Sequence, residues 1–406
     1  MIKKVFTALL SVALLVTMAF AGNASTSSNG EPLNELKTRD RNAYYVSVFQ
    51  KIINTFPTAS TRSAEGGINP VQYPDEYAGA YIDDADNLHI VLTRTSRRAT
   101  EYDYPKLTDY DDDVIYEYAP FPLSKLYEVQ KTLDGVMQEF DIQSTSLNEC
   151  DNVIEVKIWD ETKENDILDY LESNVFGFSP DSVTIESTTD EIVCTATTNT
   201  NSNALAGSRS TNSSGYATLG FNANGPNGTR GVVTAAHFAT AGTTIYNANG
   251  IQIGHATRRQ YSSGTIDAAF VPFPGNIKAS NKVLNSSWAS NGESITGAYY
   301  NAGLVTGMRT TKCGATSGIN EGTVLSLSVT TNVESVEFTD QVKISNAQAK
   351  GDSGGPVFER WARSSGGYGL TLIGIATFQE TGTGYALCSK AQNIFNTLSV
   401  SLYVMK

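Results

Sequence analysis

The stretch best equipped for chemistry is Gly351-Asp352-Ser353-Gly354-Gly355-Pro356. A serine between glycines can sit on a tight, exposed turn. Glycine leaves room for a carbonyl group to approach, and backbone N–H groups there can point at a developing oxyanion. Serine alone is a poor nucleophile and needs a base. The base needs a buried acceptor that fixes its tautomer and stabilises the imidazolium. Two further stretches offer those parts. Thr234-Ala235-Ala236-His237 closes an apolar run with a histidine, and Ile266-Asp267-Ala268-Ala269-Phe270-Val271 brings one carboxylate into a strand. The choice is narrow: the C-terminal half holds only His237 and His255, and Asp267 is the one acidic residue between His237 and Glu293. Each has a plainer reading as well: a turn serine, a satisfied core histidine, a strand-start cap. No matching motif surrounds His255, which reads as structural.

These residues need a scaffold, and the C-terminal half reads as β. Short runs rich in Val, Ile, Thr, Tyr and Phe alternate with Gly, Asn and Ser turns. Gly231–Ala235, Thr244–Tyr246, Ala268–Val271, Gly322–Val329, Val342–Ile344, Pro356–Phe358 and Leu370–Ala376 are the clearest. Helical spacing returns only around Lys390–Leu398. The pattern predicts an all-β sandwich or barrel of about 200 residues. Ahead of it, residues 191–205 are rich in Thr, Asn and Ser, a linker composition open to proteolytic nicking.

Residues 36–190 read differently. Leu126, Val129, Leu133, Val136, Met137 and Phe140 recur at helical spacing, with Ser124 as N-cap. Ile154, Val156 and Ile158 alternate with Glu155 and Lys157 as a half-buried strand. Ile167 to Val175 reads as a helix stopped by Gly177. Tyr77–Ile82 and Leu88–Thr93 flank Asp83–Asn87 as a hairpin. Together they predict a small α+β domain.

Charge divides the chain at the same place. Residues 1–200 hold 33 acidic and 15 basic side chains, residues 201–406 hold 9 and 14, and the whole carries −13. Opposite charges favour docking of one half on the other, weakly and in a salt-dependent way. The overall charge argues against a nucleic-acid partner. With three histidines and four cysteines, neither a multi-histidine metal centre nor a dense disulfide scaffold is available. The acidic runs Asp83–Asp86 and Asp109–Asp113 lack the spacing of a calcium loop and read as solvated surface. Lys3 and Lys4 precede an apolar run from Val5 to Phe20, and Ala19-Phe20-Ala21 fits a cleavage site. Residues 1–21 therefore read as a signal peptide, and no later run is long enough for a membrane span.

In motif and in the order His, Asp, Ser, the C-terminal half resembles the chymotrypsin-fold serine peptidases, in particular the bacterial streptogrisin and alpha-lytic protease branch. Lys312-Cys313-Gly314-Ala315-Thr316-Ser317-Gly318 followed by Gly322-Thr323-Val324 resembles a segment of that branch. Ser389-Lys390-Ala391 to Leu398-Ser399-Val400 resembles its closing helix. Tyr77-Ala78-Gly79-Ala80-Tyr81-Ile82-Asp83 more weakly resembles its pro-region. The resemblance implies two six-stranded antiparallel β-barrels over 201–406, preceded by an acidic α+β propeptide over 22–200. It implies Ser353 as nucleophile, His237 as general base and then acid, Asp267 as the orienting carboxylate, and the N–H groups of Gly351 and Ser353 as oxyanion hole. It implies a buried ion pair between Lys312 and Asp352. The propeptide would assist folding and inhibit the protease until cut.

The expected protein is thus a secreted, monomeric serine endopeptidase made as a zymogen, acting on peptides without a metal or organic cofactor. The resemblance places Thr377, Phe378 and Gln379 on the strand that pairs with substrate, Ala347 at the pocket base and Lys350 beside it. Ala347 in place of an acidic residue argues against Arg or Lys before the scissile bond. A neutral or apolar residue is expected there, and an acidic one is the alternative because Lys350 could attract it. A catalytically silent homologue acting as a binding module is the other alternative. Cys313 and Cys388 are the two cysteines left after processing and the expected disulfide, although four cysteines allow three connectivities.

Overall fold

The computed structural model describes residues 33–54, 73–93, 114–190, 192–194, 205–275, 277–284 and 293–404. The signal-peptide residues, the Asp109–Asp113 run and most of the linker lie outside them.

The N-terminal part begins with helices α1 (Leu33–Arg39) and α2 (Arg41–Ile53). Asp40 caps α2 by accepting the Ala43 N–H at 3.2 Å. A β-hairpin follows, β1 (Tyr77–Ile82) and β2 (Leu88–Thr93), joined through Asp83–Asn87 as expected. The Asp83 carboxylate accepts the N–H groups of Ala85 and Asn87, so this acidic run is a hairpin turn. Strand β3 (Val114–Ala119) adds parallel to β2. Helix α3 (Leu123–Asp134) then packs Leu126, Val129 and Leu133 inward. Its N-cap is Pro122 and not Ser124, and it stops at Gly135, so Val136, Met137 and Phe140 follow in turns. Glycine is a poor helix former and ends the run there. Strands β4 (Ile142–Asn148) and β5 (Val153–Ile158) form a hairpin, and β6 (Val183–Ser187) lies parallel to β5 after helix α4 (Glu164–Asn174). A short strand, β7 (Ile192–Cys194), ends this part.

The C-terminal part is almost all β. Strands β8 (Arg209–Asn212), β9 (Gly215–Thr218), β10 (Asn222–Asn224), β11 (Arg230–Thr234), β12 (Thr244–Asn247), β13 (Gln252–His255), β14 (Arg258–Gln260) and β15 (Ala268–Pro272) build its first module. The second contains β16 (Ile295–Ala298), β17 (Arg309–Gly314), β18 (Gly318–Val333), β19 (Val336–Ala347), β20 (Pro356–Ala362), β21 (Tyr368–Glu380) and β22 (Tyr385–Lys390). Helix α5 (Ala391–Leu398) and β23 (Ser401–Leu402) close the chain. In the second module the order β17-β20-β21-β22-β19-β18 returns to β17 through a β17–β18 pairing, which closes a six-stranded antiparallel barrel. The first module is two sheets, β14-β15-β11-β10-β23 and β13-β12-β8-β9, rather than one closed six-stranded ring. The two sheets share a core of Ala217, Leu219, Val232, Ile245, Ile253 and Val271.

The two parts are welded by main-chain pairing and by a common core. The hairpin β18–β19 reaches out of its barrel, and β18 pairs antiparallel with β4 through Val329–Ser146, Thr330–Thr145 and Thr331–Ser144. The N-terminal sheet thereby continues into the barrel wall. One apolar cluster runs from Leu126 and Val156 on one side to Val324, Ile344 and Ile373 on the other.

Candidate active site

His237 and Asp267 stand at neighbouring strand ends. His237 follows β11 and Asp267 precedes β15, and these strands pair antiparallel with Thr234 opposite Ala269. The His237 Nδ1 contacts Asp267 Oδ2. The other carboxylate oxygen accepts the N–H groups of Ala236 at 2.8 Å and His237 at 2.9 Å. Asp267 is fully buried, whereas the His237 side chain keeps 16% exposure. A carboxylate so held fixes the imidazole ring, with Nδ1 facing Asp267. Behind it, the Asp267 N–H donates to Ser389 Oγ at 3.0 Å, and Ser389 donates to Gln341.

Ser353 enters from the other module, in the loop between β19 and β20. Its Oγ donates to the Thr377 carbonyl at 3.1 Å. The next residue, Phe378, lies against the His237 ring with centroids 6.3 Å apart. One strand, β21, therefore touches both the serine and the histidine. The loop is tied down by its carbonyls. Thr218 Oγ1 donates to Gly351 O at 2.5 Å, Thr218 N–H to Ser353 O at 2.9 Å, and Gly355 N–H to Asp352 O at 2.7 Å. Gly354 has φ +87°, and a Cβ there would lie 2.4 Å from Thr218 O and from Thr234 Oγ1. Only glycine fits where the loop presses on β9 and β11.

Lys312 and Asp352 meet in the interior at 2.6 Å, both side chains fully buried. Asp352 also accepts N–H groups from Thr316, Ser317 and Ala349. Burial pushes its carboxyl up, but the Lys312 charge and these bonds outweigh that and hold it below the ordinary carboxylate range. The pair anchors the residue beside Ser353.

The remaining expected positions divide. Phe378 and Thr377 are buried on β21, and Thr377 Oγ1 donates to Leu387 O at 3.1 Å. Gln379 Nε2 donates to Gln348 O at 2.6 Å, linking β21 to the segment ahead of Ser353. Ala347 and Lys350 are exposed. The Cys313–Cys388 disulfide is not formed; both are free, buried thiols. Strands β20 and β21 separate their strands in the barrel. Cys313 packs in the core that faces the first module, and Cys388 in the core that faces the N-terminal part. Sequence reading missed Thr218, which braces the serine loop, the Ser389–Gln341 support of Asp267, and Gln348. Nothing in their local sequence marks Thr218 or Gln341, and Ser389 was read only as the start of the closing helix. Gln348 lay next to a position already singled out.

The N-terminal part reaches this site. Strand β7 pairs antiparallel with β21, with Cys194 opposite Phe378, Val193 opposite Gln379 and Ile192 opposite Glu380. Lys157 of β5 pairs with Glu380 at 2.8 Å.

Residues 33–113 match the family model described as Pro-like N-terminal domain. No curated protein matches the chain. Among solved structures, a glutamic-acid-specific serine protease described as using a novel histidine triad in substrate binding is 23% identical, with TM-score 0.41; the match covers 49% of this chain and 100% of that one. Nocardiopsis protease is 22% identical over 50% of this chain and 100% of its own, with TM-score 0.42. Thermobifida fusca protease A is 18% identical over the same shares, with TM-score 0.42. By its own strand order the chain beyond residue 205 is two β modules, one of them a closed six-stranded antiparallel barrel, preceded by a part whose residues 33–113 match the Pro-like N-terminal domain.

Proposed function

We propose that the chain is a secreted serine endopeptidase made as an inactive precursor. The observation that carries this reading is that one strand, β21, touches Ser353 at the Thr377 carbonyl and the Asp267-held His237 ring at Phe378. In the proposed reaction Ser353 Oγ attacks the peptide carbonyl while His237 Nε2 takes its proton. His237 then returns that proton to the leaving amine, and water hydrolyses the acyl-enzyme by the same route in reverse. The N–H groups of Gly351 and Ser353 would hold the oxyanion.

Latency is supported by β7. It occupies the edge of β21 at Phe378–Glu380, where an extended substrate would pair. Strand β7 ends at Cys194, which lies opposite Phe378, the residue after Thr377. The Thr/Asn-rich stretch that follows is the proposed site of self-cleavage.

For the residue before the scissile bond we propose a neutral or apolar side chain, with an acidic one as alternative. A histidine triad like that named for the glutamic-acid-specific structure cannot be assembled here. The chain has three histidines, and His89, His237 and His255 lie on β2, after β11 and on β13. The test is hydrolysis of a peptide library by the secreted protein after cutting in residues 195–205. Activity lost in Ser353→Ala is the expected result. Equal activity in the two proteins refutes the reading.

A further inference from the structure

Three carboxyl groups lie at the contact between the N-terminal part and the barrel with no ion pair to a lysine or arginine among the described residues. Glu149, just after β4, is 4% exposed and accepts a bond from Thr306 Oγ1 of the other part at 2.8 Å. It also accepts the Ala80 N–H. The groups facing it are Tyr73, Tyr127 and Cys150 from its own part and Lys390 from the barrel. Asp134, at the end of α3, is half-buried. It accepts from Thr145 Oγ1 of β4 at 2.8 Å and from Thr330 Oγ1 of β18 at 2.9 Å, and Glu337 of β19 faces it. Glu359 of β20 is 3% exposed, receives the Tyr299 hydroxyl, and faces Asp40 of the N-terminal part and Arg309.

Hydroxyl and backbone donors do not neutralise a charge. A carboxylate held there loses its hydration, so the neutral acid suits the closed interface and the ion suits water. Resting on the reading of the N-terminal part as a propeptide, we propose that Glu149 and Asp134 make its retention depend on pH: held in mild acid, released as the medium turns neutral to alkaline. Burial supports this by raising Glu149 to about 7 and Asp134 to about 6. Values higher in the complex than in the separated parts mean that association takes up protons. Retention is then strongest below the free-carboxyl value of about 4 and weakens as pH climbs towards 7, by up to about tenfold per pH unit for each group. The consequence is a precursor that stays closed after cutting in acid and opens in a neutral environment.

The test uses full-length Ser353→Ala protein cut within residues 195–205 by an added protease. It needs no catalysis, so it stands apart from the proposed activity. Release of the N-terminal fragment is followed by size exclusion at pH 5, 6.5 and 8. The expected result is release at least about tenfold faster at pH 8 than at pH 5, with most of that dependence lost in Glu149→Gln plus Asp134→Asn. Equal release at all three pH values, or an unchanged dependence in the double variant, overturns the proposal. Should the variant fail to fold, proton release when the wild-type complex separates at pH 7 decides it. Separation without proton release overturns the proposal, and release of a substantial fraction of a proton per complex supports it.

Discussion

At the scale of the residue, the site rests on two buried carboxylates with different tasks. Asp267 faces a histidine and Asp352 faces a lysine. Asn at position 267 can still accept the Ala236 and His237 N–H groups, so the fold should survive, but its amide cannot hold the required imidazole tautomer. Asp267→Asn is therefore expected to lower kcat by about 10⁴-fold, with an unchanged circular dichroism spectrum. A loss below about tenfold would remove Asp267 from the site. Lys312→Ala leaves Asp352 charged and buried, at an expected cost of about 3–5 kcal/mol in stability. Unfolding in denaturant measures it, and an unchanged midpoint would contradict the role given to the pair. These candidates stand out in the sequence because their signals are local: a glycine-framed serine, a histidine after an apolar run, a solitary aspartate. Thr218 was not, because its work is done 133 positions away, on the Gly351 carbonyl. The disulfide expectation failed for a related reason, since which core a cysteine faces depends on the strand order of the whole barrel.

At the scale of the element, periodicity was a good guide wherever one face is buried. The alternating burial of β5 and the inward leucines of α3 follow the apolar spacing directly. The long hairpin β18–β19 was harder. Its sequence shows two separate apolar runs, because the outer half carries Ser, Thr and Asn side chains that serve the contact with β4. Strand β7 was hidden in a linker composition, and only pairing with β21 makes it a strand. Proline at Val193 would disturb that short pairing, since proline fixes φ and lacks an N–H. Uncut Val193→Pro precursor is expected to be several-fold more active on a small peptide substrate than uncut wild type. Identical activity would show that β7 does not govern access.

At the scale of the molecule, the acidic half does dock on the basic half, though through a few placed ions rather than a diffuse field. Arg309 of the barrel pairs with Asp40 and Asp86, and Lys157 pairs the other way with Glu380. Arg309 is half-exposed, so its pairs are screened by salt. Arg309→Ala is expected to speed release of the cut N-terminal part by a few-fold at low salt, and by less at 1 M salt. The same acceleration at both ionic strengths would assign the effect to lost packing instead. Composition alone announced the two halves, whereas their shared core and continuous sheet became visible only in three dimensions.

The central claim is that Ser353 is a nucleophile activated by His237. Its most direct test is mass spectrometry of the secreted protein after cutting in the linker and treatment with a serine-directed phosphonate. Labelling at Ser353 in the wild type, and its loss in His237→Ala, is the predicted result. Labelling that persists at full rate without His237, or a cut and open wild type that takes up no label, would contradict it.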